Sequence, residues 1–302
     1  MGARADAVGP LLLPRLLSAG ARARLRVLRP RGLHQHVLLV VALGCALGPW
    51  LLPLDPETLN LDLRLAHPSL AHPMGTDAMG RDILARALHG GRLSLGVGVT
   101  AALLGVAFGA LVGVAAGALG PRTDGGLMRG VDLALSVPAA FVALVLAARS
   151  DGDPLLLALT LAAFSWMTPA RLVRDGVAPI RGSDYVAAAR AAGATRGRIA
   201  LIHLLPQVRR TLGAVFVLAL AHAVLGEATL SFLGFGVRPP AASWGSLIAG
   251  ARPYVASAPW IVVGPGLLLF ATLWSVQRIG SGALPPAAAP TSPRPAARRR
   301  SG

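Results

Sequence analysis

Apolar residues gather into six runs of membrane length, approximately 37–54, 93–119, 131–148, 154–170, 212–230 and 260–276. A helix rises about 1.5 Å per residue, so about 20 apolar residues cross a hydrocarbon core of about 30 Å. The pattern therefore predicts an all-α polytopic membrane protein with about six transmembrane helices. The fourth run is the shortest, and its ends are the least sharply marked. The first has the look of a secretion signal, but 36 residues precede it. Pro49-Trp50-Leu51-Leu52-Pro53 also stands where small residues would mark a cleavage site, so the run reads as a retained span.

These runs divide the chain into a basic tail (1–36), a first helix (37–54), a loop (55–92), a five-helix core (93–276) and a second basic tail expected to be disordered (277–302). The core holds one long polar segment, 171–211. From Pro285 the second tail is built of Pro, Ala and Arg, a composition that predicts disorder. Its Arg298-Arg299-Arg300 run is expected near anionic headgroups.

Arginine placement orients the spans, because basic residues accumulate on the cytoplasmic side. With the N-terminus inside, the cytoplasm receives seven Arg before residue 37, two in 120–130, eight in 171–211 and five after 276. The outside receives four in 55–92, then Arg149, then two in 231–259. Twenty-two against seven places both termini in the cytoplasm.

Within the spans, Gly105, Gly109, Gly113 and Gly117 recur every four residues. Each step turns a helix through about 400°, so the four share one stripe, a groove where a neighbouring backbone can approach closely. Polar residues in the spans are few: Asp132 at a cytoplasmic edge, His222 nearer mid-depth, and Glu227 near the outer end of the fifth run. The last two lie about 140° apart on a helix, so they do not form one metal or proton site.

Composition narrows the function. The chain is 54% hydrophobic and 14% charged, against about a quarter charged in soluble domains, and its mean hydropathy is +0.62. Its 29 strong bases are all arginine. Without lysine there is neither a P-loop nor a Schiff-base amine, so any ATPase that drives this chain belongs to another one. The single cysteine, Cys45, permits no internal disulfide and no CxxC site. The local Leu43-Gly44-Cys45 resembles a lipoprotein box only weakly, since Ala42 stands where a larger aliphatic residue is wanted. The net charge of +16 flanks apolar spans, a distribution unlike that of a nucleic-acid-binding face. No Ser/His, Asp/Asp or HExxH constellation falls within the spans, so no catalytic residues are assigned.

The 171–211 segment is the most informative. Ser183 or Asp184 can cap a helix through the alanine-rich run that follows, and Gly193 is placed to end it in a left-handed turn. A second helical stretch begins near Thr195 and is expected to stop at Pro206. The small alanines suit either a helix lying flat against a partner or a structured loop.

This segment resembles the EAA loop of binding-protein-dependent ABC transporter permeases. Ala188, Ala189, Gly193, Leu205 and Pro206 stand in register, with Ala187 at the Glu position and His203 at the usual Ile position. The run from Tyr185 to Ala194 and the His203-Leu204-Leu205-Pro206 motif are similar to the peptide-transport branch. The stretch His72-Pro73-Met74-Gly75-Thr76-Asp77-Ala78-Met79-Gly80-Arg81-Asp82 resembles the HPxGTDxxGRD signature of the C-type permease in dipeptide, oligopeptide and nickel importers. Arg92-Leu93-Ser94-Leu95 follows at the expected place. Glu227-Ala228-Thr229-Leu230-Ser231-Phe232-Leu233-Gly234-Phe235-Gly236-Val237, then Pro239-Pro240 and Ser243-Trp244-Gly245, complete the resemblance. The chain departs at Trp274-Ser275-Val276-Gln277-Arg278-Ile279-Gly280-Ser281-Gly282, where the family's acidic C-terminal segment is missing.

The resemblance implies a type I importer architecture in a bacterial inner membrane. It also implies a heterodimer with a B-type permease, two cytoplasmic ATPases that bind the ATP, and an extracytoplasmic solute-binding protein. No cofactor is expected on this chain. Within the outer signature, Asp77, Arg81 and Asp82 are expected to pair along an amphipathic segment, as acid–base pairs at i, i+4 support a helix, and to brace the mouth, with contact to the binding protein or partner permease as the second reading. His67 and His72 on a Pro-rich loop make a poor nickel site without further ligands. A secondary transporter and a non-transporting degenerate subunit are the rival functions.

Overall fold

The computed structural model describes residues 32–52 and 55–283. Expectations for 1–31 and 284–302, the bulk of both basic tails, lie outside the described residues. The described part is a helical bundle of α1 (Leu33–Leu51), α2 (Ile83–Leu119), α3 (Pro121–Ser136), α4 (Ala139–Ala148) and α5 (Pro154–Ser165). There follow α6 (Met167–Ile180), α7 (Asp184–Ala191), α8 (Arg196–Phe232), α9 (Trp244–Ala251) and α10 (Trp260–Ala283). Among the described residues, four helices are long and apolar enough to cross a membrane, or six with each of two bent pairs counted as one span.

The third and fourth runs are bent where straight helices were expected. Between α3 and α4 the axis turns by 71°. Val137 there is extended, the conformation that a following proline favours. Between α5 and α6 the turn is 44°, at Trp166, where Pro169 has no N–H to return to the Ser165 carbonyl. The fifth run also differs from expectation. The helix that begins at Arg196 does not stop at Pro206 but runs on to Phe232. A π-helical turn over Ile199–Leu204 and a 3-10 turn over Leu205–Val208 widen and then tighten the spiral, which accommodates the proline ring. At the far end α10 continues to Ala283, so the first seven residues of the expected disordered tail are helical.

The centre of the bundle is α2. Its 37 residues span about 55 Å, far more than a bilayer needs. It starts at Ile83, within the stretch expected to be loop, because Asp82 caps it. α6, α8 and α5 pack along it, and α1 and α10 close the far side. Cores of Val, Leu and Ala form between them, including Val114, Val173, Val177 and Leu204 at one end and Cys45, Val224 and Trp244 nearer the other. Leu103, Phe108, Leu111, Phe141, Leu267 and Phe270 remain exposed on the flanks. Lipid removes that apolar surface from water, which accounts for a bundle that is greasy outside as well as inside.

Candidate functional site

Two corners that carry the sequence motifs lie at opposite ends of α2, joined by its glycine groove. At the α7 end, Ser183 precedes the helix in extended conformation, but its hydroxyl makes no cap hydrogen bond. Asp184 in the first turn interacts favourably with the helix dipole instead. Val186 is fully buried among Val173, Val177, Ile199, Leu204 and Val208. The Tyr185 hydroxyl lies 2.6 Å from His203 Nδ1, tying α7 to the π turn. Ala187, Ala188, Arg190 and Ala191 face solvent, and Ala189 is half-buried.

α7 ends at Gly193, whose φ of +84° is left-handed. The Ala194 N–H bonds back to the Ala189 carbonyl at 3.0 Å and the Gly193 N–H to the Arg190 carbonyl at 3.0 Å, satisfying carbonyls at the helix end. The Thr195 side chain then accepts from the Arg198 N–H at 3.3 Å, starting α8. Leu205 is half-buried against the core and Pro206 is exposed. The result is a short helix on a sharp corner, held by one buried valine and one tyrosine, with a small-residue face outward.

The adjoining surface is basic. Arg171 pairs with Asp132, while Arg174 grips Asp124 through Nε at 2.9 Å and Asp175 through Nη1 at 2.9 Å. The Arg174 guanidinium holds the Asp124 carboxyl below the usual carboxylate range. That pair therefore persists at neutral pH and is lost only as pH falls through the lowered value. Both partners are partly solvated, so its contribution to stability is small.

The opposite corner is the 55–82 loop. Thr76 is fully buried; its hydroxyl donates to the Leu63 carbonyl and accepts from the Ala66 N–H at 2.8 Å. Asp77 accepts from the backbone N–H groups of Met79 (2.8 Å) and Arg81 (3.1 Å) and from Arg81 Nε at 2.8 Å. These bonds close a turn, not a helix. Gly80 sits at φ +71°, and a Cβ there would lie 1.7 Å from the Asn60 carbonyl oxygen. Gly75, at φ +72°, is similarly pressed against the Ala66 carbonyl and the Trp260 ring.

Asp82 does not join the Asp77–Arg81 pair. Its Oδ1 accepts from the Ala85 N–H at 2.8 Å and caps α2, while Oδ2 lies 2.7 Å from His72 Nδ1. His67 stacks on Trp260 with ring centroids 4.1 Å apart. The two histidines thus serve separate contacts. Asp82→Ala is expected to lower stability by about 1–2 kcal/mol, the usual cost of losing a cap. Asp82→Asn, which still accepts from a backbone N–H, recovers most of it. Melting temperatures of the two variants in detergent, compared with wild type, provide the check.

The glycine stripe on α2 meets the α5–α6 bend. Ideal Cβ atoms would approach Ser165 Oγ at Gly105 (1.9 Å), the Trp166 carbonyl at Gly109 (2.4 Å), the Ala170 carbonyl at Gly113 (2.5 Å) and Val177 at Gly117 (2.7 Å). The two helices therefore touch backbone to backbone. Among the other polar residues of the spans, His222 is exposed in an apolar hollow with Phe141 and Phe164. Glu227 is fully buried and accepts from the Ser231 hydroxyl at 2.6 Å. Sequence reasoning missed Arg171 and Arg174 as clamps, although their spacing of three on one helix face was visible. Trp244, singled out only as part of a motif, is fully buried and its indole N–H donates to the Ala87 carbonyl at 2.9 Å.

A greasy helical bundle with an exposed short helix on one corner and a hydrogen-bonded loop at the other end defines a polytopic membrane protein. Residues 105–287 match the binding-protein-dependent transport system inner membrane component family. Over 266 residues the chain is 39% identical to a protein of Brucella abortus named as a peptide transport system permease, an alignment covering 85% of this chain and 89% of that one. It is 32% identical over 248 residues to the oligopeptide transport system permease protein OppC of Haemophilus influenzae, covering 82% and 80%. To the di/tripeptide transport system permease protein DppC of Pseudomonas aeruginosa it is 33% identical over 257 residues, covering 82% and 84%. The chain belongs to the binding-protein-dependent transport system inner membrane component family and is a permease subunit of an ABC importer. Subunits of this class work with ATPase and solute-binding partners.

Proposed function

We propose that this chain is the C-type subunit that forms half of the pore in an importer of small peptides. In this reading it pairs with a B-type permease, binds two cytoplasmic ATPases, and receives cargo from an extracytoplasmic solute-binding protein. The printed names of the relatives support a di- or oligopeptide cargo. The arginine distribution supports an inner-membrane topology with both ends cytoplasmic. The absence of lysine supports hydrolysis of ATP on another chain.

The observation that carries this reading is the Gly193 corner. α7 offers Ala187, Ala188 and Ala191 outward, a surface flat enough to seat in a cleft, while Val186 and Tyr185 fasten its other side. Past the corner, α8 runs unbroken to Phe232. Closure of the ATPases pushes α7, and the push travels along α8 and, through the turn at 181–183, along α6. Tyr185, Ala188, Ala189, Gly193, His203, Leu205 and Pro206 serve this coupling. Gly75, Thr76, Asp77, Gly80, Arg81 and Asp82 brace the outer loop, and Gly105, Gly109, Gly113 and Gly117 keep α2 against α6.

A mild-detergent pull-down of the tagged chain, co-expressed with its genomic neighbours, tests the assembly. Recovery of a second permease and an ATPase is the expected result. A stable chain recovered alone would overturn it in favour of a secondary transporter or a degenerate subunit with its altered C-terminal end at fault.

A further inference from the structure

A pocket of about 260 Å³ opens on the face that carries the 55–82 loop, between the Asp77–Arg81 turn and α9. Asp77, Arg81, Arg86, Ser246, Gly250 and Tyr254 contribute to its lining. Arg86 is the unusual member, with only 8% of its side chain exposed. Its Nη1 donates to the Pro56 carbonyl at 3.3 Å. Its Nε is buried with no hydrogen-bond partner, 3.7 Å from Asp77 Oδ2 and so beyond hydrogen-bond reach.

Asp77 already accepts from Met79, the Arg81 N–H and Arg81 Nε, and receives no hydrogen bond from Arg86. Glu57 acts on Arg86 only as a charge at a distance, so Arg86 lacks a hydrogen-bonded counter-ion and keeps planar donors unmatched. A second carboxylate is the group that satisfies both deficits, by a paired, planar hydrogen-bonded contact. Size decides what carries it. Sites for small ligands run from about 300 to 1,000 Å³, so a pocket of about 260 Å³ suits a single side chain better than a peptide cargo.

We propose that this pocket receives an aspartate or glutamate side chain of the solute-binding protein, with Arg86 as its buried anchor and Arg81 and Tyr254 completing the contact. The inference rests on the importer reading, in which this face is turned toward that protein. Docking then completes an incomplete charge network on the outer end of α2, the helix whose other end borders the coupling corner.

The test uses the importer assembled with its ATPases in nanodiscs, titrated with its cognate solute-binding protein. Arg86→Gln is expected to weaken binding by at least about tenfold and to flatten its dependence on salt. Arg86→Lys restores only part, since lysine lacks the planar fork. Because Arg86 also holds Pro56, a second variant fills the pocket without touching that contact. Gly250→Leu lies at a position where a Cβ meets nothing within 4 Å, and it is expected to weaken binding to a similar degree. Unchanged affinity in Gly250→Leu would overturn the proposal. So would loss of the second permease with binding-protein affinity retained, which assigns the pocket to the permease interface. Failure of the wild-type importer to bind the protein at all would instead remove the importer reading, and the pocket's role with it.

Discussion

Gly193→Glu is expected to abolish ATP-driven uptake while the chain still inserts and folds in the membrane. Two effects of the substitution can be separated. Any residue with a Cβ at φ +84° carries left-handed strain of about 1–2 kcal/mol, and Gly193→Ala isolates that part. A Cβ there meets nothing within 4 Å, so a side chain at 193 leaves the backbone without a clash. With insertion and folding equal in the two variants, what Gly193→Glu loses beyond Gly193→Ala is assigned to the partner surface. Uptake measured in cells, normalised to membrane-inserted protein by immunoblot, should show partial activity for the alanine variant and none for the glutamate variant. Equal uptake by the two, at whatever level, would remove the corner from the coupling path.

The second large effect is structural. Gly109→Leu and Gly113→Leu should each prevent α2 from seating against α6, with loss of folded protein from the membrane. The first atoms met at these positions are carbonyl oxygens of Trp166 and Ala170, at 2.4 and 2.5 Å. Backbone cannot rotate aside as a side chain can, so the cost exceeds the 1–3 kcal/mol or so of ordinary overpacking. Gly105→Ala should be milder, because the atom in its way is the Ser165 hydroxyl, which can swing to another rotamer. Gly96→Ala supplies the control, since its Cβ would meet nothing within 4 Å and alanine is the better helix former. Detergent melting of purified variants should rank Gly96→Ala, Gly105→Ala and the two leucine variants in descending order. A leucine variant as stable as wild type would show that the helices can part without harm.

The same glycines illustrate how far the amino-acid order reached. A spacing of four announces a groove, and nothing in it names the helix that fills the groove. α6 was written as part of a span and a loop, and only its bend at Trp166 lays Pro169, Ala170 and Val173 along the stripe. The EAA-like segment was legible in more detail. The Gly193 turn and the helix before it depend on local rules, because only glycine enters left-handed space at little cost. The Ser183 cap failed because a competing helix-dipole contact from Asp184 was available and the serine hydroxyl became buried. Pro206 failed as a stop because a π turn upstream can absorb a proline ring, an option that residue patterns do not reveal. In the outer signature, an acid and a base four apart suggested a helical pair. The Asp77–Arg81 contact instead closes a turn, since Gly80 at φ +71° cannot belong to a helix.

By itself, then, the order of residues determined what depends on composition and near neighbours. It set the membrane class, the number of apolar runs, the family resemblance, and the corner that ends α7. The tertiary structure decided what depends on meetings between distant residues. It bent two spans, carried α8 past Pro206, chose α6 as the partner of the glycine stripe and left Arg86 Nε without a hydrogen-bond partner. Hydrophobic periodicity and backbone conformation are local, and a sequence displays them directly. Packing partners and charge pairs are selected by which surfaces fit once the helices are formed, and residues more than 25 positions apart, such as Pro56 and Arg86, meet only in the fold.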